Sequence, residues 1–191
     1  MKLLLKLLAP YLAVGIFWCV LKNGWLAILA YHTQVLFWSR HSWSEFRGPN
    51  RKRLLLTAIP TAIAGPLLYF ILPYVAHTDL AAWLTLYKLT GLSLILMIPY
   101  FGIIHPIIEQ MHWIQLREQS PVSHLLFAGY HMMVLYSLLK TPWLIACFVA
   151  LTVTSIIWQH ITRRAECLSV AALSHILADF GVILTTYFML I

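Results

Sequence analysis

The stretch PWLIACFVALTVTSIIWQHIT, residues 142–162, contains no Asp, Glu, Lys or Arg. A helix of about 20 apolar residues crosses a hydrocarbon core roughly 30 Å thick. The pattern recurs along the chain. Residues 3–21, 54–76, 122–139 and 168–190 read as further membrane helices, and 24–38 as a shorter one that ends in Phe37-Trp38 at an interface. Residues 80–117 are too long for one span and tight for two. Pro99 and the pair His105-Pro106 interrupt them, so a spanning helix is expected over about 80–98 and a new helix from about 105. Pro60, Pro66 and Pro73 make kinks in the 54–76 helix. The reading is an all-α, polytopic transmembrane bundle of seven or eight membrane helices, forming one domain over residues 1–191.

Composition excludes the main alternatives. Hydrophobic residues make up 61% of the chain and charged residues 10%, against about 25% charged in soluble domains. A soluble domain of this length buries only about 70% of the surface of its unfolded chain, too little to hide this much apolar area. The net charge of +7 would suggest nucleic acid in a soluble protein. Here the basic residues lie between apolar runs, where they set topology, and no aromatic-plus-basic nucleic-acid motif accompanies them. Arg40, Arg47, Arg51, Lys52 and Arg53, with Gly48-Pro49 as a turn, form a loop expected on the cytoplasmic side of the cell membrane. If 80–117 makes one net crossing, Arg117 and Arg163-Arg164 fall on that side too, and charge favours this count. Lys88 is expected to snorkel or pair.

The three cysteines, Cys19, Cys147 and Cys167, show no CxxC spacing and read as small core residues. The start, Met1-Lys2-Leu3-Leu4-Leu5-Lys6, has the basic-then-apolar order of a signal peptide. The apolar run continues through Val20 without a small-x-small cleavage site, so it reads as a retained first helix.

Ionisable residues within the apolar helices carry the functional information. Six acids occur; Glu45, Asp79, Glu118 and Glu166 lie in or beside loops, while Glu109 and Asp179 lie inside helices. A charged group there costs several kcal/mol unless paired or wetted, so an intramembrane carboxylate points to function. His105, Glu109 and His112 share one helix face, as do His175 and Asp179, and as do His124, Phe127 and His131. Three helices could thus bring two carboxylates and several imidazoles to one polar pocket. His32, His41, His77 and His160 read as residues near interfaces or loops.

Pro106-Ile107-Ile108-Glu109, then Phe127-x-x-x-His131, then His175-x-x-x-Asp179 resemble, in order and helix placement, the motifs of the CPBP family of intramembrane proteases, also called the Abi or CAAX-prenyl-protease family. The resemblance covers residues 80–191; residues 1–79 are variable N-terminal helices that add nothing to it. It implies an intramembrane endopeptidase that trims a membrane-associated protein or peptide, at a C-terminal tail or a leader. It also implies Glu109, His131, His175 and Asp179 as catalytic residues. Glu109 would activate water with help from His131, and His175 with Asp179 would orient the water or stabilise the oxyanion. The first motif departs from the family's EExxxR: Gln110 replaces the second glutamate, Ile114 stands at the arginine position, and Arg117 comes three residues late. Gln110, His112 and Phe127 are supporting candidates.

The mechanism needs no cofactor, since a carboxylate in a low-dielectric pocket is a strengthened base. Zinc is the alternative, held by Glu109, His131 and His175 with one position open for water, although no HExxH occurs. No GxSxG serine motif occurs, and Cys167, eight residues before His175, is a weak nucleophile candidate. A di-iron site wants two ExxH units and further glutamates, whereas only Glu109-x-x-His112 occurs. A bis-histidine haem protein, a non-catalytic binding or sorting protein of the same fold, and a proton-coupled transporter using Glu109 and Asp179 complete the alternatives.

Overall fold

The computed structural model describes residues 2–39, 42–46, 48, 55–56 and 58–191. The basic residues Arg40, Arg47, Arg51, Lys52 and Arg53, and His41, lie outside the described residues. Eight helices occur among the described residues: α1 (Lys2–Val20), α2 (Gly24–Ser39), α3 (Ile59–Val75), α4 (Leu80–Leu86), α5 (Leu92–Gln119), α6 (Val122–Leu135), α7 (Thr141–Ala165) and α8 (Ser169–Phe188). Helices α1, α5, α7 and α8 are long and apolar enough to cross a membrane, while α3 and α6 are shorter apolar helices. The protein is a polytopic α-helical membrane protein.

The exterior differs from that of a soluble fold, while a hydrophobic core surrounds a cluster of buried polar groups. Leu4, Leu12, Phe70, Ile145, Val149 and Ile157 point outward, whereas Glu109, Gln110, His112, Arg117 and His175 are buried. Apolar side chains facing out suit lipid, and the polar groups are collected where protein can satisfy them.

The expected spanning helix over 80–98 does not form. The chain breaks instead over residues 87–91, where Lys88 and Gly91 both take positive φ, at 59° and 52°. Lys88 is therefore an exposed turn residue rather than one that snorkels from within a span. Asp79 starts α4 by accepting from the Ala82 N–H at 2.9 Å. From Leu92 the helix runs unbroken through Pro99 and Pro106. Between these prolines Tyr100–Ile104 forms a π-turn, in which the His105 N–H bonds the Tyr100 carbonyl five residues back. A widened turn carries the helix past residues that lack a donor. Gly102, at this turn, lets α8 approach: a Cβ there would lie 2.9 Å from the Phe180 Cα.

Loop contacts define the two ends of the bundle. At one end Gly24 N bonds Tyr87 O, His77 N bonds Leu138 O and Lys140 N bonds Val75 O, each at 2.9 Å. This end carries Lys22, Lys88 and Lys140. At the other end Leu168 N bonds Glu45 O at 2.9 Å, and Arg163 pairs with Glu118 at 2.7 Å. The single long α5 places the Gln119 end of that helix beside Arg163-Arg164, the arrangement that the charge count favours.

Candidate functional site

Helix α5 presents Glu109 to the centre of the bundle, wholly buried. Its two oxygens are treated differently. Oε1 accepts from the Tyr31 hydroxyl at 3.2 Å. Tyr31 in turn accepts from Trp113 Nε1 at 3.1 Å, and this leaves its proton for Glu109. Oε2 has no hydrogen-bond partner. It lies 3.5 Å from His175 Nε2 and 3.7 Å from His105 Nε2, just beyond ordinary hydrogen-bond length. A buried carboxylate oxygen left without a donor is costly, and here it is flanked by two imidazole nitrogens.

His175 comes from α8, one helical turn before Asp179, and its Nε2 lies 3.2 Å from Asp179 Oδ2. Its other nitrogen, Nδ1, faces Gln110 Nε2 at 3.3 Å. The tautomer follows from a chain of donors. Arg117 Nη1 donates to Gln110 Oε1 at 2.8 Å. This fixes the Gln110 amide with its NH₂ toward His175 Nδ1, which must accept. The proton of neutral His175 therefore sits on Nε2, aimed at the two carboxylates. The Trp158 ring, 4.3 Å from the imidazole between centroids, walls the other side.

Arg117 is buried, contrary to its reading as a topology-setting charge at a loop. Its Nε donates to Ser155 at 3.0 Å, and its guanidinium lies over the rings of Phe127 and Trp158 at 5.3 and 5.8 Å. From two turns along α5 it reaches Gln110, so Ile114 at the motif's usual arginine position does not deprive Gln110 of a cationic partner.

The structure thus brings Glu109, His175, Asp179 and Gln110 together. His131 is near but not joined to Glu109. Its Nδ1 donates to the Phe127 carbonyl at 2.7 Å and its Nε2 faces the Tyr130 hydroxyl at 3.1 Å, so both nitrogens are engaged. It stays within electrostatic reach of Asp179 and His175. Phe127 is a buried packing residue whose ring lies 6.5 Å from that of His175. His124, on the same sequence stripe, turns away to Ser155 at 2.9 Å and Gln159 at 3.1 Å. His112 also turns away: its Nε2 bonds the Lys6 carbonyl at 3.1 Å. Pro10, four residues after Lys6, has no N–H to bond that carbonyl, so His112 supplies the donor and ties α5 to α1.

Two residues of α2 were not foreseen. Tyr31 holds Glu109, and His32 is buried rather than interfacial, with Nε2 2.9 Å from His105 Nδ1. As for zinc, no group of three His, Cys, Asp or Glu among the described residues stands close enough to hold a metal ion. With both His131 nitrogens bonded, the ligand set Glu109, His131 and His175 does not fit one.

No family model matches this chain, and no curated protein or solved structure matches it either.

Proposed function

We propose that this protein is an intramembrane endopeptidase of the CPBP type, cutting a membrane-associated protein or peptide within the cell membrane, at a C-terminal tail or a leader. The observation that carries this reading is the unpartnered Oε2 of Glu109, buried and facing the Nε2 of His175 at 3.5 Å. A base needs a free lone pair at the reacting centre, and a developing oxyanion needs a fixed donor beside it. Glu109 takes a proton from water as the water oxygen attacks the peptide carbonyl carbon. The His175 Nε2–H donates to the oxygen that gains the negative charge. On collapse the C–N bond breaks and Glu109 returns its proton to the leaving nitrogen. Tyr31 and Gln110 orient these two groups, and the His175 Nε2–H, which points to Asp179 Oδ2 at rest, turns to the oxyanion as its charge develops. His131 acts at longer range in this scheme, through its charge environment.

The lipid bilayer and the peptide substrate are the partners in this reading. In this reading the end of the bundle that carries Arg163-Arg164 faces the cytoplasm.

The test is a comparison of protein termini between a strain lacking the protein and its parent, followed by complementation. Unprocessed termini in the deletion strain should revert with the wild-type chain. They should not revert with Glu109→Gln or His175→Ala chains that accumulate normally in the membrane. Full processing by Glu109→Gln would overturn the assignment.

A further inference from the structure

A line of two hydrogen bonds runs toward Glu109 from outside the groups used above and ends 3.7 Å short of its Oε2. Tyr100 Oη lies 2.9 Å from His32 Nδ1. His32 Nε2 lies 2.9 Å from His105 Nδ1, and the two rings are stacked at 5.2 Å and 22°. His105 Nε2 then faces Glu109 Oε2 at 3.7 Å. His32 and His105 are buried, while Tyr100 is half-buried. Burying two imidazoles for packing alone is expensive, since each nitrogen needs a partner. Here His32 bonds a titratable group at each nitrogen, and His105 bonds one and faces the other across 3.7 Å.

We infer that Tyr100, His32 and His105 form a proton relay between the half-buried hydroxyl of Tyr100 and the buried carboxylate of Glu109. The line has two consistent settings. In the first, Tyr100 O–H donates to His32 Nδ1, His32 Nε2–H donates to His105 Nδ1, and His105 Nε2–H points at the Glu109 carboxylate. In the second, every donor and acceptor is exchanged, and protonated Glu109 donates to His105 Nε2. Passing from the first to the second moves one proton along each link. Glu109 gains a proton, Tyr100 loses one to His32, and water at Tyr100 replaces it. The last link closes when the Glu109 carboxyl turns toward His105.

The charged and titratable surroundings are few. Around His32 and His105 stand Tyr31, Tyr100, His131 and His175. Around Glu109 stand Tyr31, His105, His175, Asp179 and Arg117. The inference rests on Glu109 as the proton-accepting group of the proposed reaction, and it gives that group a route that does not pass through the substrate.

The test needs no substrate. The full chain in liposomes is subjected to a rapid pH jump, and the infrared band of protonated Glu109, identified by its loss in Glu109→Gln, is followed in time. His32→Gln keeps hydrogen-bonding groups but cannot pass a proton through a ring, and Tyr100→Phe removes only the entry hydroxyl. Each should slow the band's appearance about tenfold or more, equivalent to about 1.4 kcal/mol of barrier, while its final amplitude is unchanged. A purely structural role would alter amplitude or folding instead. Should His32→Gln fail to fold, Tyr100→Phe carries the test. Unchanged rates in the folded variants overturn the relay even if Glu109→Gln abolishes cleavage. Slowed rates sustain it even if no cleavage is found.

Discussion

An arginine can only donate hydrogen bonds, and in this site that limit propagates through two more residues. Arg117 selects the Gln110 oxygen, and the Gln110 NH₂ then selects the acceptor state of His175 Nδ1. A glutamate at position 110 would accept from both neighbours and place the His175 proton on Nδ1. Gln110→Glu is therefore expected to move that proton, read as exchanged nitrogen shifts in the NMR spectrum of histidine-labelled protein. Unmoved shifts would show that Asp179 sets the tautomer alone. Arg117→Leu removes donors to buried Gln110 and Ser155. It should destabilise the protein by about 1–3 kcal/mol, the usual penalty for a buried polar group left unpaired. Arg163→Leu, at an exposed ion pair, should leave unfolding in detergent unchanged. Glu109, His175 and Asp179 were legible in the sequence because an acid inside an apolar run has few explanations. Tyr31 and His32 were not, because the apolar run at 24–38 gives no sign of which face meets α5. Arg117 reads as a loop charge because nothing in its neighbours shows that α5 continues past it into protein.

At the scale of the helix, α5 shows where local rules misled. Pro99 and Pro106 signal a break, yet the π-turn between them preserves one helix from Leu92 to Gln119. The real break, at 87–91, depends on positive φ at Lys88, a conformation that sequence does not announce for a lysine. The π-turn also sets the site. Gly102 lets α5 lie against the backbone of Phe180, the residue after Asp179, and this contact holds Glu109 and Asp179 on facing helices. Gly102→Ala puts a Cβ within 2.9 Å of the Phe180 Cα, and backbone cannot yield as a side chain can. The expected cost is about 1–3 kcal/mol of stability, measured by thermal unfolding in detergent. A loss of processing larger than the loss of folded protein should accompany it, because the helices would separate at the site. Gly15→Ala meets only the flexible end of Met133 at 3.5 Å and should be tolerated, which makes it the control.

Over the whole molecule, the distribution of charge decides which way the bundle sits. Lys22, Lys88 and Lys140 occupy one end, while Arg163 and Arg164 occupy the other, where α2 ends at Ser39 and the basic stretch of sequence 40–53 follows. The rule that basic loops stay cytoplasmic acts on short loops close to span ends, and both sets meet that condition. The count favours the arginine end inside. Even numbers of crossings between the two sets would put them on the same side, but the hydrogen bonds that tie 24 to 87 and 75 to 140, and separately 45 to 168, keep them apart. Orientation is then testable with single cysteines placed in a background lacking Cys19, Cys147 and Cys167. A cysteine replacing Lys140 should react with a membrane-impermeant maleimide added to intact cells. One replacing Arg164 should react only after the membrane is opened. The opposite labelling order would invert the bundle, and with it the side from which a substrate tail reaches Glu109.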